Sequence, residues 1–165
     1  MTPRFRPQPG SRRRGSVMVE FALSFTTLFA VFASMFQFGY AFYNYNRLVN
    51  AVKTGARYAA NKPYSSTNTV PTLAFLQDVR NMVVYGMPHP PEGTAPIVAG
   101  LTPDKVQLSI TGKGAGTAFN PNAMTPPDLM TVSITSFPIR ALFMTTTLNN
   151  RPRATFPYTG ILTPP

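Results

Sequence analysis

The pattern of polar and apolar positions begins with a long uncharged run near the N-terminus. Residues 21–43 carry no formal charge. As a helix with ~1.5 Å rise per residue they would extend ~35 Å, which is enough to cross a bilayer. The helical pattern begins near Val17 and continues to Asn61, and Pro63 prevents it from continuing further. The sequence therefore predicts one helix, transmembrane over about residues 21–43 and extended beyond the membrane to about residue 62.

Aromatic residues recur along one side of this predicted helix at intervals of three or four positions. They are Phe21, Phe25, Phe29, Phe32, Phe36 and Tyr40. Polar residues also interrupt the span, namely Ser24, Thr26, Thr27, Ser34 and Gln37. Two interpretations of the aromatic stripe are open: it faces lipid, or it packs against identical helices in an assembly.

A second, shorter helix is expected after Pro63. Apolar residues return at helical spacing, and Gly86 followed by Pro88 supplies a stop. The apolar positions are Leu73, Leu76, Val79, Met82 and Val83. Residues 87–104 are rich in proline and glycine and are predicted to form a loop.

Alternating apolar and polar residues then predict short strands. The alternation covers Lys105–Thr111 and Met130–Phe137, with Pro138 ending the second strand, and Arg153–Tyr158 is expected to add a third or edge strand. Residues 63–165 are therefore expected to form a small, loop-rich α+β head. The predicted fold class is α+β: a long N-terminal helix, a short second helix and a small antiparallel sheet.

The chain is strongly basic, with 15 Lys and Arg against 5 Asp and Glu and a net charge of +10. Five of the arginines precede Gly15, so loss of that leader would leave ten basic and five acidic residues, or net +5. Three of them, Arg12, Arg13 and Arg14, flank the span and place the N-terminus in the cytoplasm by the positive-inside rule. Nucleic acid is not expected as a partner, because most aromatic residues lie in the span instead of among the basic residues.

Catalytic and ligand-binding signals are weak. The chain has no cysteine, so it has no thiol nucleophile and no thiolate metal site. His89 lies between prolines in an expected exposed loop, and Glu92 is its only nearby acid. Gly112–Gly116 lacks the ending of a phosphate-binding loop and is interpreted as a connection between strands. The other acids, Asp78, Asp104 and Asp128, show no paired spacing and are expected at the surface, in caps or in turns. We therefore expect no enzyme activity, cofactor, metal or small-molecule substrate.

One carboxylate, Glu20, stands at the start of the apolar run. An acid inside a bilayer costs on the order of 2.5–3.5 kcal/mol, less near the interface, and usually marks a function or a partner. Glu20 could lie at headgroup depth, hydrated or paired with Arg13. If the chain were cut between Gly15 and Ser16, Glu20 could instead pair with the new ammonium of Ser16, its own or that of a neighbouring copy.

The basic leader ending in Gly15, followed by four residues and then Glu20 before a span, resembles the processing site of type IV pilins and pseudopilins. Glu20–Ala60 is similar in particular to the TadE-like family of small pseudopilins in tight-adherence pilus systems. The matching features are the opening Glu20–Leu23, a mid-span Gly39 and the closing Gly55–Ala59. Thr26 stands where the family often has proline, and Gln37 where a second acid is common. The first departure puts a helix kink in doubt.

This resemblance implies a structural minor pilin or pseudopilin whose leader, residues 1–15, is removed after Gly15 by prepilin peptidase. The mature chain would begin at Ser16, sit in the bacterial inner membrane with its head outside, and assemble through its N-terminal helix. Its implied partners are the peptidase, other pilin subunits and the assembly platform, with possible roles in secretion and cell adhesion. Two alternatives stay open: a permanent single-pass protein whose head binds an envelope partner, and a domain secreted after signal peptidase cleavage near Val31–Ala33.

Overall fold

The structure, a computed structural model, describes residues 12–62, 73–112, 127–140 and 145–160. Its elements are helices α1 (Arg12–Asn61) and α2 (Leu73–Tyr85), a 3-10 helix (Pro103–Lys105), and strands β1 (Val106–Thr111), β2 (Leu129–Ile134), β3 (Phe137–Arg140), β4 (Thr145–Leu148) and β5 (Arg153–Pro157). This order confirms the α+β fold class. The chain divides into two compact units, Met1–Gly39 and Tyr40–Pro165, and α1 contributes residues to both.

Helix α1 ends at Asn61 as predicted but begins at Arg12, earlier than the expected start near Val17. The arginines of the leader are good helix formers, and a single glycine costs a helix only about 1 kcal/mol relative to alanine. Gly15 therefore does not stop the helix. The helix is also continuous through Thr26, where the family often has proline. Residues 1–11 of the predicted leader lie outside the described residues.

Helix α2 confirms the second predicted helix, although its buried face is shifted from the expected one. Val79 and Val83 are buried as predicted, but Leu73 is exposed, and Phe75 and Asp78 are buried instead. Gly86 follows with a φ of 78°, and its N–H donates to the carbonyl oxygen of Met82 at 3.1 Å. A glycine with positive φ just past the last residue is a common helix ending. Residues 87–102 then form turns and irregular structure, as predicted.

The strands form two antiparallel sheets. The first has the order β1-β2-β5, with Val106 opposite Ile134 and Leu129 opposite Pro157. The second pairs β3 with β4. In β1, Val106 is buried while Gln107 and Ser109 are exposed, which confirms the predicted alternation. Strand β5 confirms the third strand, at the edge of the first sheet among the described residues.

The single strand predicted over Met130–Phe137 is wrong in its C-terminal part. Ser136 has a φ of 52°, which breaks the chain between β2 and β3. Pro138 does not end a strand; it lies inside β3 opposite Thr147. Proline is tolerated in a strand that pairs on one side only, as β3 does among the described residues. Strand β4 was not predicted, and residues 113–120 of the connection after β1 lie outside the described residues.

The core of the second unit lies between the last third of α1, α2 and the first sheet. Buried side chains on α1 recur at helical spacing, including Leu48, Val52, Ala56 and Ala59. The segment after β5 closes the end of α1, because the N–H groups of Thr159 and Gly160 donate to the carbonyl oxygen of Ala60 at 2.9 and 3.1 Å. The last third of α1 is thus fixed into the head at its end as well as along its side.

Candidate functional site

The predicted cleavage site lies within the first turns of α1. Gly15 and Ser16 are helical and exposed, and a Cβ built on Gly15 would meet no atom within 4 Å. The packing of the described chain therefore gives no reason for a glycine there, although glycine weakens the helix. Helix ends fray readily, so the turn that contains Gly15 can open at small cost. The structure is therefore compatible with a glycine that another molecule requires and that packing within the chain does not.

Glu20 lies one helical turn after Ser16. The two residues are four apart in α1, so their side chains are neighbours with Cβ atoms ~5–6 Å apart. Glu20 is exposed, and no described side chain forms an ion pair with it. The side chain of Arg13, the alternative partner, lies outside the described residues. The geometry brings Ser16 and Glu20 together, and their pairing stays a prediction.

The rings of the predicted stripe, from Phe21 to Tyr40, share one face of α1, as their spacing predicts. The rings of Phe21 and Phe25 stack with centroids 6.1 Å apart, and those of Phe25 and Phe29 follow at 6.3 Å. Phe32 and Phe36 are also exposed, as is Tyr40 at the start of the second unit. The rings from Phe21 to Phe36 are exposed in the described chain, so this part of the face is available to lipid or to another helix.

Three hydroxyl groups of the span donate hydrogen bonds to the backbone of their own helix. The hydroxyl of Thr26 donates to the carbonyl oxygen of Ala22 at 2.8 Å, and that of Ser34 to the carbonyl oxygen of Ala30 at 2.8 Å. Thr27 does the same with Leu23 at 3.0 Å. Such bonds pair these three hydroxyl donors in a medium without water. The polar residues are therefore compatible with a membrane-spanning helix.

Length and composition allow α1 to cross a membrane, over a region between Gly15 and Asn61. None of its most apolar window is buried inside the chain. The core helix of a soluble protein would bury such a face. Gly39, within the same region, also has no atom within 4 Å of a built Cβ. Like Gly15, it has no packing partner of its own in the described chain.

Sequence reasoning missed an ion-pair cluster in the second unit. Lys62, just after α1, donates to the carboxylate of Asp78 on α2 and, at 2.8 Å, to the hydroxyl oxygen of Tyr58. The bond to Asp78, followed by that to Tyr58, raises the pKa of Lys62. Asp78 is only 8% exposed, so its predicted surface position is wrong. The sequence did carry a signal for this cluster. Asp78 lies between Phe75 and Val79 on an amphipathic helix, and a carboxylate that is buried there requires a partner.

His89 is in an exposed loop, as predicted, with its side chain 82% exposed. Its Nδ1 atom lies 3.4 Å from Oδ1 of Asp78. The described residues contain no group of three or more His, Asp or Glu side chains that could hold a metal ion. Glu92, Asp104 and Asp128 are exposed. Through Lys62, the cluster around Asp78 joins the end of α1 to α2. We therefore interpret it as a structural contact.

A comparison with protein families matches one model, described as TadE-like protein, over residues 15–57. Over these residues the N-terminal helix is similar to a TadE-like protein. The matched region begins at Gly15 and includes Glu20, the aromatic stripe, Gly39 and the basic residues up to Arg57, which agrees with the resemblance seen in the sequence. No curated protein and no solved structure matches the chain. The TadE-like segment therefore supports a pilus-related, single-pass membrane protein, and α2 and the sheets lie outside the match.

Proposed function

We propose that this chain is a minor pilin or pseudopilin of a tight-adherence pilus system, processed after Gly15 and assembled through α1. The observation that carries the proposal is the unburied apolar face of α1 within the TadE-like segment. A face of this size is not left open in a monomeric soluble protein. Insertion into a bilayer covers it first, and packing against neighbouring helices covers it in an assembly.

The glycines of α1 differ in whether the described chain packs against them, and this difference supports the proposal. Gly55 has an internal reason, because a Cβ there would collide with Val83. Gly15 and Gly39 have no such reason among the described residues. Glycine in a helix interior costs about 1 kcal/mol relative to alanine, so these two positions point to close approach by other molecules. In the proposal, prepilin peptidase approaches Gly15 and a neighbouring helix approaches Gly39.

The proposed orientation has the N-terminus in the cytoplasm and the head outside the bacterial inner membrane. Arg12, Arg13 and Arg14 form the first turn of α1, on the side of the span that the positive-inside rule keeps in the cytoplasm. After cleavage, Ser16 would carry an ammonium one helical turn from Glu20. That pair offsets the cost of burying Glu20 among helices. The peptidase, other pilin subunits and the assembly platform are the proposed partners.

A permanent single-pass anchor is the second candidate. It is favoured by the continuity of α1 through the Gly15–Ser16 bond, since an uncut helix of this kind already forms a complete membrane anchor. In that case the leader stays attached and the head alone carries the function. The two candidates differ in the N-terminal residue of the protein in the cell envelope.

The test is the N-terminal residue and mass of the chain recovered from cell envelopes of wild type, Gly15→Leu and Gly39→Leu. Gly39→Leu is the matched control, because it makes the same change at a second exposed helical glycine. We expect wild type and Gly39→Leu to begin at Ser16 and Gly15→Leu to keep Met1 or its direct successor. An intact leader on the wild type supports the permanent anchor, and a start near Ser34 supports secretion.

A further inference from the structure

From Asn46 to its end at Asn61, the exposed side of α1 carries only basic and neutral polar side chains. We call this the basic face and define it by Arg47, Asn50, Lys53, Thr54 and Arg57, all exposed. The sequence contains no acid between Glu20 and Asp78, and Asp78 is already paired with Lys62. No described carboxylate pairs with Arg47, Lys53 or Arg57. The basic face is therefore an uncompensated positive surface.

Like charges are held close together on this surface. Lys53 and Arg57 are four residues apart, so they are neighbours on the helix and repel each other by a few tenths of a kcal/mol. Aromatic rings fix the two arginines: the guanidinium of Arg47 lies 5.6 Å from the ring centroid of Tyr43, and that of Arg57 lies 5.6 Å from that of Phe156. Cations already positioned in this way lose less freedom on binding an anionic partner.

A shallow groove lies beside Arg57, at the edge of the basic face. Its volume is about 490 Å³, and its lining combines cations and hydrogen-bonding groups with an apolar side chain from α2. The lining residues are Thr54, Arg57, Tyr58, Asn61, Lys62 and Met82. Acidic side chains on a helix that packs along α1 could enter this groove and meet cations at its rim.

The heights of the three cations distinguish the possible occupants. Along a helix with ~1.5 Å rise per residue, Arg47, Lys53 and Arg57 lie ~6, ~15 and ~21 Å beyond Tyr43, the end of the predicted span. The headgroup layer adds only about 5–8 Å on each side of the hydrocarbon core. Anionic lipid therefore accounts for Arg47 alone. A second copy packed side by side would bring basic face against basic face, which is unfavourable.

From these observations we infer that the basic face of α1 docks the acidic helix of a different membrane-anchored subunit. The fitting partner carries exposed Asp or Glu residues four positions apart, opposite Lys53 and Arg57. This inference deepens the proposed pilus function by naming the chemistry of a partner. The aromatic stripe can pack against any apolar helix, whereas charge on the basic face selects which subunit lies alongside.

The experiment uses the full chain and a charge-reversed copy of itself as a defined acidic probe. The probe carries Arg47→Glu, Lys53→Glu and Arg57→Glu. Both copies also carry Asn50→Cys and different tags, and because the chain has no cysteine, every disulfide reports that position. Pairs are counted after reconstitution into neutral phosphatidylcholine vesicles, so no pilus machinery is present and failure here is separate from failure of processing or assembly.

We expect on the order of tenfold more disulfide between the native and reversed copies than between two copies of either kind. High salt should reduce this preference, because the charges are exposed. Ser109→Cys, at an exposed position on β1, is the control and should show no dependence on the charge pattern. A neutral copy with Gln at the three positions should self-pair more than the native chain, and it keeps the test valid if the reversed copy does not fold.

Three results would overturn the inference. If native copies pair with each other as often as they pair with the reversed copy, the occupant is a second copy of this chain. A preference found only when anionic lipid is added to the vesicles would assign the surface to lipid headgroups. An absence of disulfide in every combination, with intact helical content, would mean that the basic face does not pair helices.

Discussion

Gly55 on α1 lies directly against Val83 on α2, with no room for a Cβ between the two helices. Both residues are buried. The contact brings the backbone of the long helix close to the first element of the head. It explains why a glycine stands within a helix whose neighbouring buried positions are alanine and valine.

Gly55→Ala should lower the free energy of unfolding of the detergent-solubilised chain by about 1–2 kcal/mol, because overpacking outweighs the gain in helix propensity. The loss should be smaller in a Val83→Ala background, where the colliding methyl group is absent. Gly39→Ala is the control and should leave stability unchanged or slightly higher. Circular dichroism during denaturant unfolding measures the five chains: wild type, Gly55→Ala, Val83→Ala, the double variant and Gly39→Ala. Equal effects of alanine at Gly39 and Gly55 would refute the close contact.

Lys62→Met should destabilise the head by about 1 kcal/mol, a modest value because Lys62 is 36% exposed. The raised pKa of Lys62 sets the pH dependence. Its stabilisation is complete below the unfolded pKa of about 10.4 and is lost as pH rises through the higher folded pKa. The difference in Tm between wild type and Lys62→Met should therefore be constant at neutral pH and shrink above about pH 10.5.

Lys53→Met is the matched control for this prediction, because Lys53 is exposed on α1 and forms no ion pair with a described side chain. Its Tm should stay close to that of the wild type, at most slightly higher because the repulsion between Lys53 and Arg57 is removed. A difference between wild type and Lys62→Met that persists unchanged into strong alkali would show that the Lys62 ammonium does not stabilise the head.

Topology can be measured with reporter fusions after Pro63 and after Gly112. Both should report an extracytoplasmic position, since the positive-inside rule predicts that Arg12, Arg13 and Arg14 keep the N-terminus in the cytoplasm. Replacing the three arginines with glutamine should increase the inverted fraction. The same replacement at Arg47, Lys53 and Arg57 serves as the control and should not increase inversion. A cytoplasmic signal from the wild-type fusions would contradict the orientation.

Periodicity was sufficient to predict the helices and most strands. The spacing of the rings from Phe21 to Phe36 predicted their common face, and the alternation from Val106 to Ile110 predicted β1. What failed depends on a contact distant in sequence or on the backbone conformation of a single residue. The burial of Asp78 requires Lys62 from another helix, and the break before β3 rests on the backbone of Ser136. Neither leaves a periodic signal.

The residues of the candidate site also differ in whether the sequence alone could identify them. Gly15, Ser16 and Glu20 could be identified from spacing alone, because they are local in sequence and the helix sets their distances. The basic face could not, because its identification needs the buried side of α1 to be known first. Only after the structure assigns Leu48, Val52 and Ala56 to the core do the exposed cations form one surface.

Glu20→Gln tests the central claim, assembly through the N-terminal helix, most directly. The measurement is the fraction of processed chain that co-purifies with the pilus assembly machinery, together with a pilus count, in wild type and in the variant. We predict that the variant inserts and begins at Ser16 but is lost from the assembly, because the Ser16 ammonium is left unpaired among helices at a cost of about 3–5 kcal/mol. Wild-type co-purification and a wild-type pilus count would contradict the account and leave Glu20 as an interfacial charge only.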